Sequence, residues 1–408
     1  MKRFLTLLLL SFSLNLSAQI WQQLTDSLNY YSRQKNYTRS IAAGEKALTA
    51  AQNEFGQEHN NYGLALKNLS IAYRRNENYQ EALTNASGAL QVFKKNNGEN
   101  SVEYASMLNQ LGMIYTGLKD SARTIEVYNQ AINILHHIKK GKDILESALY
   151  NLSTAHTSFK QYLQAIPHLE EMVLLQEEIY GKESDDYLEG LGILANAYKE
   201  TEKINAAIHI RKTMAEISIK KYGATSVDYG KEMNRIAMLY ESIRDSAQTE
   251  MYYKQALSIF RGHTPKPELL ISVINNLADF YETGNRYNDA LSLYQENDSL
   301  IKSLKGTTTI IYITNAYNLA RSYFHTDQFF LAESQCQNVY KLLKKVVEQN
   351  NPNYAISLNN LADLYGKMKN YSQAESLYTE VLQIRKAALG ENDENYITAL
   401  SNLARVYL

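Results

Sequence analysis

One aromatic position recurs through the whole chain at a nearly constant interval. The residues that occupy it lie 41 or 42 positions apart and are Tyr31, Tyr73, Tyr115, His156, Tyr198, Tyr240, Tyr281, Tyr323, Tyr365 and Tyr407. We call them the marker residues. A fixed period of this length is typical of an array in which each repeat is one supersecondary unit. In a chain of 408 residues, the period favours an elongated stack over one compact core.

The residues around each marker predict two helices per repeat. Four positions before the marker lies an apolar core residue: Leu69, Leu111, Leu152, Leu194, Ile236, Leu277, Leu319, Leu361 and Leu403. An apolar pair spaced by four residues defines one face of a helix. A small residue follows each core residue, such as Gly112 or Ala278, and lets a second helix approach closely. That second helix opens six residues past the marker, as at Tyr79 and Tyr371. The pattern predicts an all-α chain.

Two segments carry a resemblance to a known family. The sequence LNNLADLY at residues 358–365, followed by YSQAE at residues 371–375, resembles the core signature of the tetratricopeptide repeat. The period matches the longer version of the repeat found in kinesin light chains, and the resemblance covers about residues 20 to 408. It implies an α-solenoid, a right-handed superhelix of antiparallel helical hairpins.

The repeat divides the chain into nine hairpins and one remaining helix. The hairpins are expected over residues 19–393, at about 20–56, 60–98, 101–140, 142–181, 185–223, 226–264, 268–306, 309–350 and 352–390. Residues 394–408 then form an unpaired first helix of a tenth repeat. Terminal repeats of such arrays normally turn a polar face outward. The apolar residues Ile397, Leu400 and Tyr407 therefore favour a fragment of a longer protein over an imperfect cap.

The first residues have the layout of a secretory signal. Lys2 and Arg3 precede an apolar run over residues 4–16, and Ser17, Ala18 and Gln19 follow. This pattern predicts a signal peptide over residues 1–18, cleaved after Ala18, and a secreted or periplasmic protein. The alternative is an uncleaved anchor, but the run is shorter than the roughly 20 apolar residues that span a bilayer.

Charge and motifs argue against several classes of function. The formal net charge is -1 with both signs interspersed, which does not favour nucleic acid or a membrane surface as a partner. Cys336 is the only cysteine and is expected to be packed in the core, and His156 occupies a marker position with the same expectation. No zinc-binding spacing, glycine-rich phosphate loop or nucleophile elbow occurs. We therefore expect no enzyme activity, no cofactor and no metal.

The position directly before each core residue is the candidate for binding. It is asparagine in six of nine repeats, namely Asn68, Asn151, Asn276, Asn318, Asn360 and Asn402. A side-chain amide carries both a donor and an acceptor, so it can bond the backbone of an extended peptide without reading its sequence. Kinesin-light-chain-like grooves use such an asparagine ladder on their concave face, and the resemblance implies the same use here. The alternative is that these amides bond neighbouring helices and set the stacking angle.

Further along the same helices, acidic and basic residues alternate between repeats. The series is Asp279, Arg321, Asp363 and Arg405. Side chains on neighbouring helices about 10 Å apart can pair, which is the simpler interpretation, and selection of a charged ligand is the other. Arg321 is included with the candidate groove on that second interpretation.

These observations predict a protein-binding or peptide-binding scaffold. An alternative from a different class makes the array the sensing arm of a longer protein, because secreted repeat arrays of this kind resemble chains that continue into a caspase-like CHAT peptidase domain or a sensor kinase. A third interpretation is structural self-assembly.

Overall fold

The computed structural model describes residues 20–263, 266–348, 352–392 and 394–407. Every regular element within these ranges is a helix, and no strand occurs in them. The expected signal peptide, residues 1–18, lies outside the described residues. The chain divides into two compact units, Met1–Met214 and Ala215–Leu408. No helix in the described ranges is long and apolar enough to cross a membrane.

Unit 1 alternates first helices and second helices of antiparallel hairpins. The first helices are α1 (20–33), α3 (Asn60–Arg75), α5 (Val102–Gly117), α7 (Lys142–Ser158) and α9 (Asp185–Glu200). The second helices are α2 (Tyr37–Phe55), α4 (Tyr79–Asn97), α6 (Ser121–Ile138), α8 (Tyr162–Tyr180) and α10 (Ile204–Tyr222), the last of which contains the division between the units.

Unit 2 continues the alternation. Its first helices are α11 (Val227–Ser242), α13 (Pro267–Thr283), α15 (Ile310–His325), α17 (Pro352–Lys367) and α19 (Glu394–Ala404). Its second helices are α12 (Ser246–His263), α14 (Tyr287–Lys305), α16 (Phe329–Val346) and α18 (Tyr371–Leu389). The fold is thus all-α, in arrays of the solenoid class, as the sequence predicts.

The predicted core positions explain how the hairpins close. Eight of the nine core residues are buried, and Leu403 is partly buried. The small residues beside them lie where helices touch. A Cβ atom added to Gly112 would stand 2.3 Å from the Tyr128 ring, so any larger residue would displace that buried tyrosine. The interpretation of the small residues as close contacts is confirmed.

Helix capping positions four tyrosines at the starts of first helices. The side chains of Ser101, Ser184, Ser226 and Thr309 each accept a hydrogen bond from the backbone amide three residues later. In all four cases that amide belongs to a tyrosine, namely Tyr104, Tyr187, Tyr229 and Tyr312. A serine or threonine cap satisfies one of the free amides at a helix start. The cap therefore sets where each of these four first helices begins and which residue turns inward.

The marker tyrosines bridge consecutive hairpins. Each lies near the end of a first helix, and in four of them the phenol donates to a glutamate on the second helix of the preceding hairpin. The pairs are Tyr73 with Glu45, Tyr198 with Glu170, Tyr281 with Glu250, and Tyr407 with Glu375. Tyr323 instead accepts a hydrogen bond of 3.2 Å from Gln295 at the corresponding junction. The marker thus holds neighbouring repeats together through a polar contact as well as through its ring.

The turn within each hairpin contains one residue in the left-handed backbone conformation, and this residue is not glycine. Residues with φ between 57° and 63° recur at Lys35, Glu77, Lys119, Lys160, Glu202, Arg244, Asn285, Asp327 and Lys369. Glycine would adopt this conformation with less strain. Seven glycines with positive φ instead close the loops after second helices, as at Gly181 and Gly390. The hairpin turns are therefore held in shape by the packing of the helices on either side.

Candidate functional site

The six candidate asparagines lie on first helices of both units. Asn68 and Asn151 lie on α3 and α7 of unit 1, and Asn276, Asn318, Asn360 and Asn402 lie on α13, α15, α17 and α19 of unit 2. Each occupies the position before a core residue, at the border between the packed and the open side of its helix. Asn318 is 8% exposed, Asn360 is exposed, and the other four are half-buried.

Three of the amides are used within the array. Asn151 donates to the side-chain oxygen of Asn109 at 3.0 Å. Asn276 donates to that of Asn234 at 3.1 Å, and Asn402 to that of Asn359 at 2.9 Å. Each bond joins first helices of consecutive hairpins. At these positions the amide sets how one repeat stacks on the next.

The other three amides make no hydrogen bond to any described residue. They belong to Asn68, Asn318 and Asn360. Two of them have counterparts with other contacts. Asn275, at the position that would receive Asn318, accepts from Asn297 at 2.7 Å. The counterpart of Asn360 is Tyr317, whose hydroxyl lies 3.4 Å from the backbone oxygen of Asn360 and leaves its side chain unused.

The first helices of unit 2 form one continuous surface. A side-chain contact from the candidate region links each successive pair: Asn276 with Asn234, Arg321 with Glu282, Tyr317 with Asn360, and Asn402 with Asn359. These links run from α11 through α13, α15 and α17 to α19. We call the surface formed by Asn276, Asn318, Asn360, Asn402 and Arg321 the asparagine face.

Arg321 is committed to a partner that the sequence did not indicate. Its guanidinium binds both carboxylate oxygens of Glu282 on α13, and Glu282 is only 8% exposed. Burial alone would lower the pKa of Arg321, but the hydrogen bonds and the charge of Glu282 outweigh burial and raise it. Arg321 pairs with the neighbouring first helix, as the simpler interpretation predicts, but its partner is Glu282 and not a member of the alternating series. The same interpretation is confirmed for Arg405, which pairs with Asp363 at 3.2 Å.

The acidic members of the series bind buried tyrosines. The hydroxyl of Tyr294 donates to Asp279, and that of Tyr378 donates to Asp363. Burial raises the pKa of Asp279, and the hydrogen bond from Tyr294 and the charge of Arg321 oppose that rise. Asp279 and Asp363 therefore hold first and second helices together and offer little to a ligand.

Sequence reasoning missed the partners on these helices. Asn109, Asn234 and Asn359 all lie two residues before a core residue, and each receives the asparagine that precedes the core residue of the next repeat. The coincidence of these two positions in consecutive repeats was the available signal. Glu282 gave none, since a charged residue after the marker is expected to face solvent.

The side chains of Cys336 and His156 are both packed in the interior of the helix array. The Cys336 side chain is fully buried, and burial raises its pKa to about 12. His156 is buried, hydrogen-bonded to Gln161 at 2.8 Å and stacked on His168. Within the described ranges, no three His, Cys, Asp or Glu side chains are grouped to hold a metal ion.

Comparison with known proteins agrees with this architecture. The family model described as tetratricopeptide repeat matches residues 29–87, 71–135 and 312–387. These segments carry tetratricopeptide repeats. The crystal structure of the apo form of RapI aligns with a TM-score of 0.52 at 13% identity, covering 91% of this chain and 99% of that one. A putative kinesin light chain of Podosopora anserina with nearly identical TPR-like repeats aligns with a TM-score of 0.44 at 17% identity, covering 51% and 99%.

Two curated relatives share part of the repeat array. RxLR effector protein SFI4 of Phytophthora infestans is 23% identical over 203 residues, which are 50% of this chain and 60% of that protein. Secreted RxLR effector protein RXLR-C07 of Plasmopara halstedii is 24% identical over 205 residues, which are 50% and 62%. The match spans about three-fifths of the length of these relatives.

Proposed function

We propose that this protein is a binding scaffold without catalytic activity, and that the asparagine face of unit 2 holds an extended segment of a partner protein. The observation that carries the proposal is the free amide of Asn318 and of Asn360 on adjacent first helices. Their neighbours on the same face are satisfied by partners within the array, so these two are left to bond something else.

The chemistry of the face fits a peptide backbone. Each free amide offers one acceptor and two donors, and an extended chain presents the complementary groups at every residue. Arg321 lies on the same helix as Asn318, but Glu282 occupies the edge of its guanidinium formed by Nε and Nη2. We therefore assign Arg321 to the shape and local charge of the face and not to direct capture of the partner.

The experiment compares binding with stability. A partner recovered by pull-down from an extracytoplasmic extract is titrated against the wild type and against the Asn318→Ala, Asn360→Ala double variant. We expect the double variant to bind about tenfold more weakly, with nearly unchanged Tm. Equal affinity would refute the proposal. The matched control is Asn276→Ala, which changes the same repeat position at a bonded amide and should lower stability without a comparable loss of binding.

We further propose that the protein acts outside the cytoplasm. The basic, apolar and small residues of positions 2–18 support this, and one relative is named as a secreted effector. Mass spectrometry of the protein recovered from the medium or periplasm should give a mature chain beginning at Gln19. A recovered chain that retains Met1 would contradict cleavage.

A further inference from the structure

A cleft lies at the edge of unit 2, where α15 turns into α16 and α17 turns into α18. Its volume is about 500 Å³, and its walls include Phe324, His325, Phe329 and Met368. The rings of Phe324 and Phe329 meet edge to face with centroids 5.9 Å apart. A space of this size with aromatic walls accepts one large apolar side chain. We call it the turn cleft.

Phe329, which lines the turn cleft, begins a run of three exposed apolar residues. Phe330 is 83% exposed, and Phe329 and Leu331 on either side of it are exposed as well. In the other eight second helices, the second residue is Thr38, Gln80, Ala122, Leu163, Asn205, Ala247, Asn288 or Ser372. Only α16 has large apolar residues at both its second and third positions. Contiguous exposed apolar residues of this kind mark interaction sites.

The rim of the turn cleft carries unpaired positive charge. Lys367 and Lys369 are exposed lining residues and make no ion pair with any part of the chain that the structure describes. Other lysines of unit 2 do pair, such as Lys302 with Asp298 and Lys305 with Glu268. The described lining adds one carboxylate, that of Asp327. The rim therefore favours an anionic partner.

His325 contributes an aromatic wall. Its ring stacks on that of Tyr287 with centroids 4.2 Å apart and interplanar angle 7°. Burial lowers its pKa, and the charges of Lys367 and Arg321 lower it further while that of Glu282 raises it. The ring adds an aromatic surface to the interior of the turn cleft.

We propose that the turn cleft binds a segment of a partner protein in which an aromatic residue or leucine is flanked by aspartate or glutamate. The apolar side chain enters the cleft and packs against Phe324, Phe329 and Met368, and the adjacent Phe330 covers it. The flanking carboxylates pair with Lys367 and Lys369. This surface is separate from the asparagine face and lies at the hairpin turns, so one scaffold has two places for a partner.

Selection from a display library of short random peptides tests the proposal. Peptides are selected on the immobilised full chain, synthesised, and titrated by fluorescence anisotropy. We expect enrichment of an aromatic residue or leucine beside acidic residues. Phe330→Ser should weaken binding of these peptides by about tenfold. A Lys367→Glu, Lys369→Glu variant used in a parallel selection should enrich basic flanks instead.

Matched variants separate this site from general stickiness and from the asparagine face. Leu163 holds the position of Phe330 in α8 and is 62% exposed, so Leu163→Ser removes a comparable apolar side chain elsewhere and should leave affinity unchanged. The Asn318→Ala, Asn360→Ala variant should also leave it unchanged, whatever it does to binding at the asparagine face.

Three results would overturn the proposal. The first is equal binding of the selected peptides to the wild type and to Phe330→Ser. The second is a charge-reversed variant that still enriches acidic flanks. The third is a concentration-dependent dimer in analytical ultracentrifugation that Phe330→Ser abolishes, because the occupant would then be a second copy of this chain. Circular dichroism of Phe330→Ser should match the wild type, since an exposed residue contributes little to folding.

Discussion

The side-chain nitrogen of Asn276 lies 3.1 Å from the side-chain oxygen of Asn234, which occurs 42 residues earlier on the preceding first helix. Both residues are half-buried. A hydrogen bond in such a place contributes about 0.5–1.5 kcal/mol to stability. Within this repeat array, the same residue type at the same position can therefore stabilise the stack at one helix and stay free at another.

A double-mutant cycle on this pair measures its contribution. Asn276→Ala and Asn234→Ala should each lower the free energy of unfolding by about 1 kcal/mol, and the double variant should lose less than the sum. The measurement is urea unfolding followed by circular dichroism. Strictly additive losses would show that the two amides do not interact.

The two arginines of the alternating series should differ in their effect on stability. Arg321→Ala leaves the buried carboxylate of Glu282 without its partner and should cost about 2–3 kcal/mol, reduced from the fully buried case because the arginine side chain is 33% exposed. Arg405→Ala removes a single contact from a side chain that is 66% exposed and should cost below about 1 kcal/mol. Thermal unfolding of both variants decides the matter, and equal losses would contradict the assigned geometry.

Acid should weaken the contact at Glu250. Burial on its own raises the pKa of this carboxyl, but hydrogen bonds from Lys254, Arg286 and Tyr281 outweigh burial and lower the pKa from 4.5 to about 2. A lowered pKa in the folded state gives stability that is complete above the unfolded value and is lost as the pH falls towards the folded value. The wild type should have a larger free energy of unfolding than Glu250→Gln at neutral pH. This difference should decrease by about 1–2 kcal/mol between roughly pH 6 and pH 3.

Urea titrations of both proteins at several pH values give that difference. Glu391→Gln is the control, because Glu391 pairs with Lys386 at a fully exposed site and should give a small difference at every pH. A constant difference between wild type and Glu250→Gln would contradict the prediction.

Two glycines of unit 1 should respond oppositely to alanine. Gly181 has φ +85° after α8, so Gly181→Ala should cost about 1–2 kcal/mol through backbone strain, although no atom lies within 4 Å of the added Cβ. Gly192 is in the middle of α9, where the new Cβ would make ordinary contacts with Met214 and Arg211. Gly192→Ala should stabilise by about 0.5–1 kcal/mol. Thermal denaturation tests both, and losses of equal size would rule out strain as the cause.

The packed framework was predictable because the marker, the core residue and the small residue repeat together. Their spacing fixes which face of each helix is buried, so the burial of Leu361 or Ala278 follows from the sequence. The left-handed turn residues were not predictable from type. Lys119 and Glu202 resemble ordinary surface residues, and only the geometry of the flanking helices forces their positive φ.

The position of the asparagine face was predictable from the sequence. Which of its amides are free was only partly predictable. Periodicity places Asn276 and Asn360 at equivalent points of their helices. Whether an amide is free depends on the residue two positions before the core residue of the preceding repeat, which is Asn234 for Asn276 and Tyr317 for Asn360. Such a dependence joins residues about 42 positions apart, and local patterns do not contain it.

The phenol bridges between hairpins bear on how the array can change in length. At four junctions the donor is the marker of the later hairpin and the acceptor is a glutamate of the earlier one, as with Tyr73 and Glu45 or Tyr281 and Glu250. Each of these junctions therefore has a phenol on the later hairpin and a carboxylate on the earlier one. Duplication or loss of one whole hairpin would bring a phenol to a carboxylate again, whereas a change by part of a repeat would separate them. Insertions or deletions in steps of about 42 residues would therefore preserve the phenol–carboxylate hydrogen bonds between hairpins.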